Sequence, residues 1–77
     1  MKIEDLLNEI ALALEISRER LSPETTSEQI DEWDSLGQIS ILARLDLVYQ
    51  DITERVPDLA TALSVQEIFR HLKAAGL

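Results

Sequence analysis

The chain has 77 residues, of which 45% are apolar and 29% are charged, with two glycines, two prolines and no cysteine. That length suits a single small domain, residues 1–77, which buries only about 60% of its unfolded surface and leaves no room for a large catalytic cleft. The lack of cysteine excludes disulfides, thiolate zinc sites, iron–sulfur clusters and cysteine nucleophiles. The fold must therefore be stabilised by packing alone.

Seven basic residues stand against fifteen acidic ones, which gives a net charge of −8. Such a charge repels nucleic-acid phosphates and anionic membranes, and it favours partner proteins with basic surfaces. Acidic residues near the start argue against a signal peptide, and no apolar run approaches the ~20 residues of a membrane span. We therefore expect a cytoplasmic protein that binds neither nucleic acid nor membrane.

The first predicted element is a helix over residues 3–16. Its apolar residues recur at helical spacing, and Glu4 and Asp5 are favourably placed in its first turn. A long connection follows over residues 17–34, because its Ser, Thr and Pro residues compete for backbone hydrogen bonds and disfavour helix. We expect this connection to be anchored by its three large apolar side chains, Leu21, Ile30 and Trp33.

Five acidic residues and no basic residue lie between positions 24 and 34: Glu24, Glu28, Asp31, Glu32 and Asp34. A run of like charge usually marks a solvated loop, which is the interpretation we favour, with a docking patch for a basic partner as the alternative. The spacing lacks the glycine and the final glutamate of an EF-hand loop, so we predict no metal site here.

Three more helical segments follow. The first begins at residue 34 or 35 and runs to about residue 51, and the sequence before Pro57 must leave the helical conformation. Residues 58–63 are expected to form one short helical turn. Ser64 and Glu67 have the spacing of a capping box that opens a last helix through residue 75, which Gly76 closes. The prediction is an all-α bundle of three longer helices and one short one.

The second helix carries two apolar stripes. One is predicted to face the core: Ile41, Leu45, Val48, Tyr49 and Ile52. The other lies on roughly the opposite side and consists of Leu36, Ile39, Ala43 and Leu47. Either this helix is buried all round, or its second stripe is a protein-docking face. We favour the docking face, because a domain of 77 residues can hardly enclose a whole helix.

Ser35 lies at the start of this helix, beside the second stripe. The free amides and the dipole of a helix N-terminus favour a covalently attached phosphate, so Ser35 is a candidate modification site. The serine fits equally well as a plain N-cap, with Gln38 completing a capping box. If Asp34 caps the helix instead, the Ser35 hydroxyl projects outwards. Helix physics alone leaves both alternatives open.

Trp33-Asp34-Ser35-Leu36-Gly37, together with the helix that follows, resembles the Asp-Ser-Leu motif of acyl and peptidyl carrier proteins. The resemblance extends over nearly the whole chain, from the amphipathic first helix to the capped last helix. It implies a four-helix acyl-carrier-like bundle in which Ser35 accepts 4′-phosphopantetheine from coenzyme A. Cargo is then held as a thioester on the terminal thiol of this arm. A carrier catalyses nothing itself, so the resemblance implies no catalytic residue.

The resemblance also implies roles for the neighbours of Ser35. Asp34 is expected to contact the modifying transferase or its metal, and Gly37 to leave bare backbone beside the arm for close approach of a partner. The implied partners of this monomer are a phosphopantetheinyl transferase, an acyl- or aminoacyl-activating ligase and downstream acyl-transfer enzymes. Their expected contact face is the second stripe: Leu36, Ile39, Ala43 and Leu47.

The second helix is less acidic than in the carriers that it resembles. Members that serve fatty-acid synthesis carry a strongly acidic second helix, whereas residues 36–52 hold Asp46 and Asp51 against Arg44. Among carriers, this difference favours a role in a specialised pathway and argues against housekeeping fatty-acid synthesis. The alternative function is an unmodified carrier-like adaptor that binds one protein partner through the second stripe. A small enzyme is disfavoured, because the single histidine, His71, has no acid–base partner in the pattern.

Overall fold

The structure is a computed structural model that describes residues 1–77. It contains four α-helices, which are α1 (Ile3–Leu14), α2 (Ser35–Val48), α3 (Ile52–Arg55) and α4 (Val65–Ala74). Three 3₁₀ turns lie in the connections, at Arg18–Arg20, Ser27–Gln29 and Pro57–Thr61. The predicted all-α bundle of three longer helices and one short helix is confirmed. None of the helices has the length and apolar content that crossing a membrane requires.

Helix α1 begins where the Asp5 carboxylate accepts the backbone N–H of Lys2 at 2.9 Å. It ends at Leu14, before the predicted end, because Glu15 adopts a left-handed conformation with φ 55°. The N–H of Ile16 then turns back to the carbonyl of Ala11 at 3.1 Å and satisfies the last turn. The buried face of α1 consists of Leu6, Leu7, Ile10, Ala11 and Leu14.

The long connection is irregular apart from its two 3₁₀ turns, as predicted, and its three apolar anchors Leu21, Ile30 and Trp33 are buried in the core. The five acidic side chains between positions 24 and 34 are all exposed to solvent. Glu32 nevertheless has a partner: its carboxylate accepts two hydrogen bonds from the Arg20 guanidinium, at 2.8 and 2.9 Å. This bidentate pair joins the start of the connection to its end.

The Arg20–Glu32 pair leads to a prediction about titration. The hydrogen bond from Arg20 holds the pKa of Glu32 below its ordinary value. A lowered pKa in the folded state contributes stability above the ordinary pKa of glutamate and loses it as the pH falls through the folded value. We expect Arg20→Gln to raise the pKa of Glu32 towards the ordinary value, as followed by NMR titration of the side-chain carboxyl. An unchanged Glu32 titration curve would contradict the pairing.

Helix α2 packs against α1 through Ile41 and Leu45, which are fully buried. The prediction for Val48 is wrong, because this side chain is 41% exposed at the end of the helix. The helix stops at Val48 and not near residue 51, since Tyr49 leaves the helical conformation with φ −122° and ψ 46°. Asp51 then turns the chain with φ 56°. The resulting turn places Ile52 in the core.

The short α-helix lies before Pro57, whereas the prediction placed it after this proline. Its start is held by Asp46, whose carboxylate accepts the N–H of Thr53 at 2.9 Å and the hydroxyl of Thr53 at 2.8 Å. Asp51 has the N-cap position of α3, but its side chain makes no capping hydrogen bond, so Asp46 of α2 supplies the acceptor instead. Of the residues predicted as a helical turn, 58–61 belong to the 3₁₀ turn Pro57–Thr61, and 62 and 63 lie beyond it.

The capped start and glycine end predicted for α4 are present. Ser64 Oγ accepts the N–H of Glu67 at 3.1 Å, although the Glu67 carboxylate accepts from the N–H of Leu63, one residue earlier than a standard capping box. Gly76 has φ 96°, and the N–H of Leu77 reaches back to the carbonyl of Leu72. On the inner side of α4, Val65, Ile68 and Leu72 are fully buried, whereas Phe69 is only partly buried.

Candidate functional site

Asp34 is the N-cap of α2. Its side-chain Oδ1 accepts the N–H of Gly37 at 2.8 Å, and its backbone carbonyl accepts the N–H of Gln38 at 2.8 Å. Ser35 is therefore the first residue of the helix, where its side chain is exposed and its hydroxyl makes no hydrogen bond within the chain. Of the two alternatives left open by helix physics, the structure has the one in which Asp34 caps and the Ser35 hydroxyl is free.

The cap leads to a prediction about Asp34. Asp34→Ala removes the acceptor of the Gly37 N–H, and loss of an N-cap costs about 1 kcal/mol of stability. Asp34→Asn keeps a side-chain oxygen at the same position, so we expect its urea midpoint to stay close to that of the parent protein. Urea unfolding of both variants, followed by circular dichroism, checks this. Equal loss in the two variants would show that the carboxylate charge, and not the hydrogen bond, stabilises the helix start.

Beyond Ser35, the outer face of α2 carries a strip of apolar side chains. The side chains of Leu36, Ile39 and Leu47 are 74%, 61% and 77% exposed, and Ala43 is exposed between them. The two charged residues of the helix are engaged elsewhere, since Arg44 pairs with Glu9 of α1 and Asp46 holds α3. We call this strip, Leu36, Ile39, Ala43 and Leu47, the α2 stripe.

Gly37 does not have the role expected for it. It is buried, and a Cβ built on it would lie 2.9 Å from Leu14 Cδ2 and closer still to the backbone carbonyl oxygen of Glu32. The missing side chain therefore makes room for the acidic connection and α1 inside the domain. The expectation that Gly37 offers bare backbone to a partner is wrong, because this backbone faces the interior.

A surface groove of about 580 Å³ opens beside Ser35. Ile39 and Leu42 of α2 form one apolar wall, and Ala60 and Leu63 form the facing one. Its remaining lining residues lie towards the start of the helix: Ser27, Trp33, Asp34, Ser35 and Gln38. A group attached to the Ser35 hydroxyl thus has a partly apolar surface within immediate reach.

The sequence analysis considered Gln38 only as part of a capping box and missed its buried position. This side chain is only 7% exposed, and its Oε1 accepts the indole N–H of Trp33 at 2.7 Å. Its Nε2 donates to the carbonyl oxygens of Leu59 and Ala62, at 3.1 Å each. The position of Gln38 in the sequence indicates that it is buried. Residue 38 lies three and seven residues before Ile41 and Leu45, so it shares their core-facing side of the helix. A glutamine on that side needs buried partners.

A second and larger groove, of about 810 Å³, lies at the opposite end of α2 beside Tyr49. Partial burial raises the pKa of Tyr49, and the carboxylates of Asp5 and Glu9 raise it further. This phenol therefore stays protonated, and therefore neutral, at physiological pH. No three histidine, aspartate or glutamate side chains come together in a group that could hold a metal ion.

No protein-family model matches the chain, and neither a curated protein nor a solved structure is detectably similar to it. A function for the chain therefore has to be inferred from its motif and from the geometry around Ser35.

Proposed function

We propose that the chain is a discrete acyl or aminoacyl carrier protein of a specialised pathway. In this proposal 4′-phosphopantetheine is attached to Ser35, and the chain presents its cargo to partner enzymes. The single observation that carries the proposal is the exposed Ser35 hydroxyl, which Asp34 leaves free by taking the N-cap position. The Asp-Ser-Leu motif supports it, because the motif places this serine where carrier proteins have their attachment site.

Loading is a phosphoryl transfer to Ser35. The Ser35 oxygen attacks the pantetheine-side phosphorus of the coenzyme A pyrophosphate, and a new P–O bond forms at the serine. The P–O bond to the adenosine-side phosphate breaks, and adenosine 3′,5′-bisphosphate leaves. The hydroxyl proton passes to a base on the magnesium-dependent transferase. Once attached, the arm supplies a thiol on which cargo is held as a thioester.

The residues around Ser35 fit a group joined through a phosphodiester. The N–H groups of Ser35 and Leu36 have no acceptor within the chain, and they lie at the positive end of the α2 dipole. A phosphodiester on the Ser35 oxygen would be stabilised there by both effects. The apolar walls of the groove beside the serine offer the rest of the arm a surface to contact while no partner enzyme is bound.

The α2 stripe is the proposed contact face for partners. Its exposed leucine and isoleucine side chains lose water on contact, and burial of apolar surface contributes about 25 cal/mol per Å² before the costs of association. Acidic side chains of the connection, such as Asp31, lie before the start of α2 in the chain and are exposed. They favour partners with basic residues around an apolar patch. A carrier that visits several enzymes needs such moderate and reversible contacts.

The direct test is enzymatic loading. We expect the protein, incubated with coenzyme A, magnesium and a broad-specificity phosphopantetheinyl transferase, to gain the mass of one phosphopantetheinyl group in intact mass spectrometry. A carrier domain of known competence in the same tube controls for the enzyme. Failure with several transferases, each of which loads the control, would contradict the proposal. The exposed α2 stripe would then favour the alternative, an unmodified adaptor with one protein partner.

A further inference from the structure

The side chain of Gln38 joins three parts of the domain at the floor of the Ser35 groove. It reaches from α2 to the indole of Trp33 in the connection and to two carbonyl oxygens around the 3₁₀ turn Pro57–Thr61. Both carbonyls belong to residues that are essentially inaccessible to solvent, Leu59 and Ala62. Every polar atom of the Gln38 amide is therefore engaged, and no buried side-chain atom of the domain lacks a partner.

We propose that Gln38 is a positioning residue that closes the passage from the Ser35 groove into the apolar core. The groove lies between Ile39 and Leu42 on one side and Ala60 and Leu63 on the other, and its lining includes Gln38, whose amide ties α2 to the 3₁₀ turn. A chain entering the core here must separate these two elements. It would break the hydrogen bonds of Gln38 and leave an amide and two carbonyls buried without partners.

This closure indicates the class of cargo, a step that rests on the proposed function. A long alkyl chain gains most from leaving water completely, which requires an opening into the core. The groove instead is open to solvent and its lining is mostly apolar, with polar groups from Ser27, Asp34 and Ser35. A short acyl group is suited to remaining there. The cargo is therefore inferred to be short and held at the surface of the domain.

The closure can be tested without any transferase. The chain contains no cysteine, so Ser35→Cys supplies a single thiol beside the groove. Its thiolate attacks the sulfenyl sulfur of octyl or methyl methanethiosulfonate, a mixed disulfide forms, and methanesulfinate leaves. Amide and methyl NMR shifts of the octyl and methyl adducts are then compared. We expect differences at Ile39, Leu42 and Leu63, and none at the core residues Leu45 and Leu72.

The same comparison in Gln38→Met identifies the residue responsible. This change keeps the length of the side chain and removes its hydrogen bonds, so we expect the octyl-dependent shifts to spread to Leu45 and Leu59. Gln66→Met is the matched control, because it removes an exposed amide that bonds only to the Pro23 carbonyl. We expect it to keep the parent pattern. If Gln38→Met does not fold, Gln38→Leu replaces it, because leucine likewise lacks the amide that bonds to the Leu59 and Ala62 carbonyls.

Two results would overturn the inference. Octyl-dependent shifts at Leu45 and Leu72 in the Ser35→Cys protein itself would show that the core is open. Shifts that stay in the groove in Gln38→Met, or in Gln38→Leu where that variant is used, would show that Gln38 is not what closes it. Neither result depends on loading by a transferase, so failure of the closure and failure of the carrier function are separate outcomes.

Discussion

Ser35→Ala is expected to abolish loading by a phosphopantetheinyl transferase. The variant lacks the only atom to which the proposal attaches the phosphodiester, so intact mass spectrometry should show no added group after complete loading of the parent protein. Stability should change by less than about 0.5 kcal/mol, because the substitution is at the surface. The structure gives the reason: Asp34, and not Ser35, accepts the hydrogen bond that caps α2.

Ser40→Ala is the matched control for that experiment. Ser40 is also exposed on α2, one and a half turns beyond Ser35. We expect it to load as the parent protein does. Full loading of Ser35→Ala would place the modified hydroxyl elsewhere and contradict the assignment. If the parent protein, Ser35→Ala and Ser40→Ala all fail to load, and a protein partner binds the three equally, the adaptor function accounts for the α2 stripe.

Gly37→Ala is expected to destabilise the domain by about 1–2 kcal/mol. Its Cβ would overlap the backbone carbonyl oxygen of Glu32 and press on Leu14, and overpacking of a filled interior typically costs about 1–3 kcal/mol. The better helix propensity of alanine returns up to about 1 kcal/mol. The balance is unfavourable because one of the clashing atoms belongs to the backbone, which yields less readily than a side-chain end. Urea unfolding measures the change.

The propensity gain is measured separately with Ala43→Gly. Residue 43 is exposed on the same helix, so this change should cost about 1 kcal/mol through propensity alone. If Gly37→Ala proves as stable as the parent protein, the Glu32 carbonyl can move aside, and the close approach is not a constraint. We expect Gly37→Val to be worse than Gly37→Ala, because its branched side chain meets the same carbonyl with more atoms.

The helical content of this protein follows from local pattern. The apolar spacing of residues 3–14 and the serine and glycine around α4 are signals that a chain carries wherever it folds, and they predicted these helices correctly. The ends of α1 and α2 were placed too late. Glu15 ends α1 in a left-handed conformation, and Tyr49 ends α2 by leaving the helical conformation. Neither is the glycine or asparagine that commonly signals a helix end.

The start of α2 has some features that follow from local sequence and others that depend on tertiary contacts. Periodicity and cap preferences are local, and they are enough to predict a long helix that begins at residue 34 or 35 and has an apolar outer stripe. The choice of Asp34 as the cap became clear from its bond to Gly37 in the fold. The inward direction of Gly37 and the bonds of Gln38 depend on the Glu32, Leu59 and Ala62 carbonyls, whose approach to α2 is set by the packing of the whole domain. No spacing within the helix encodes that approach.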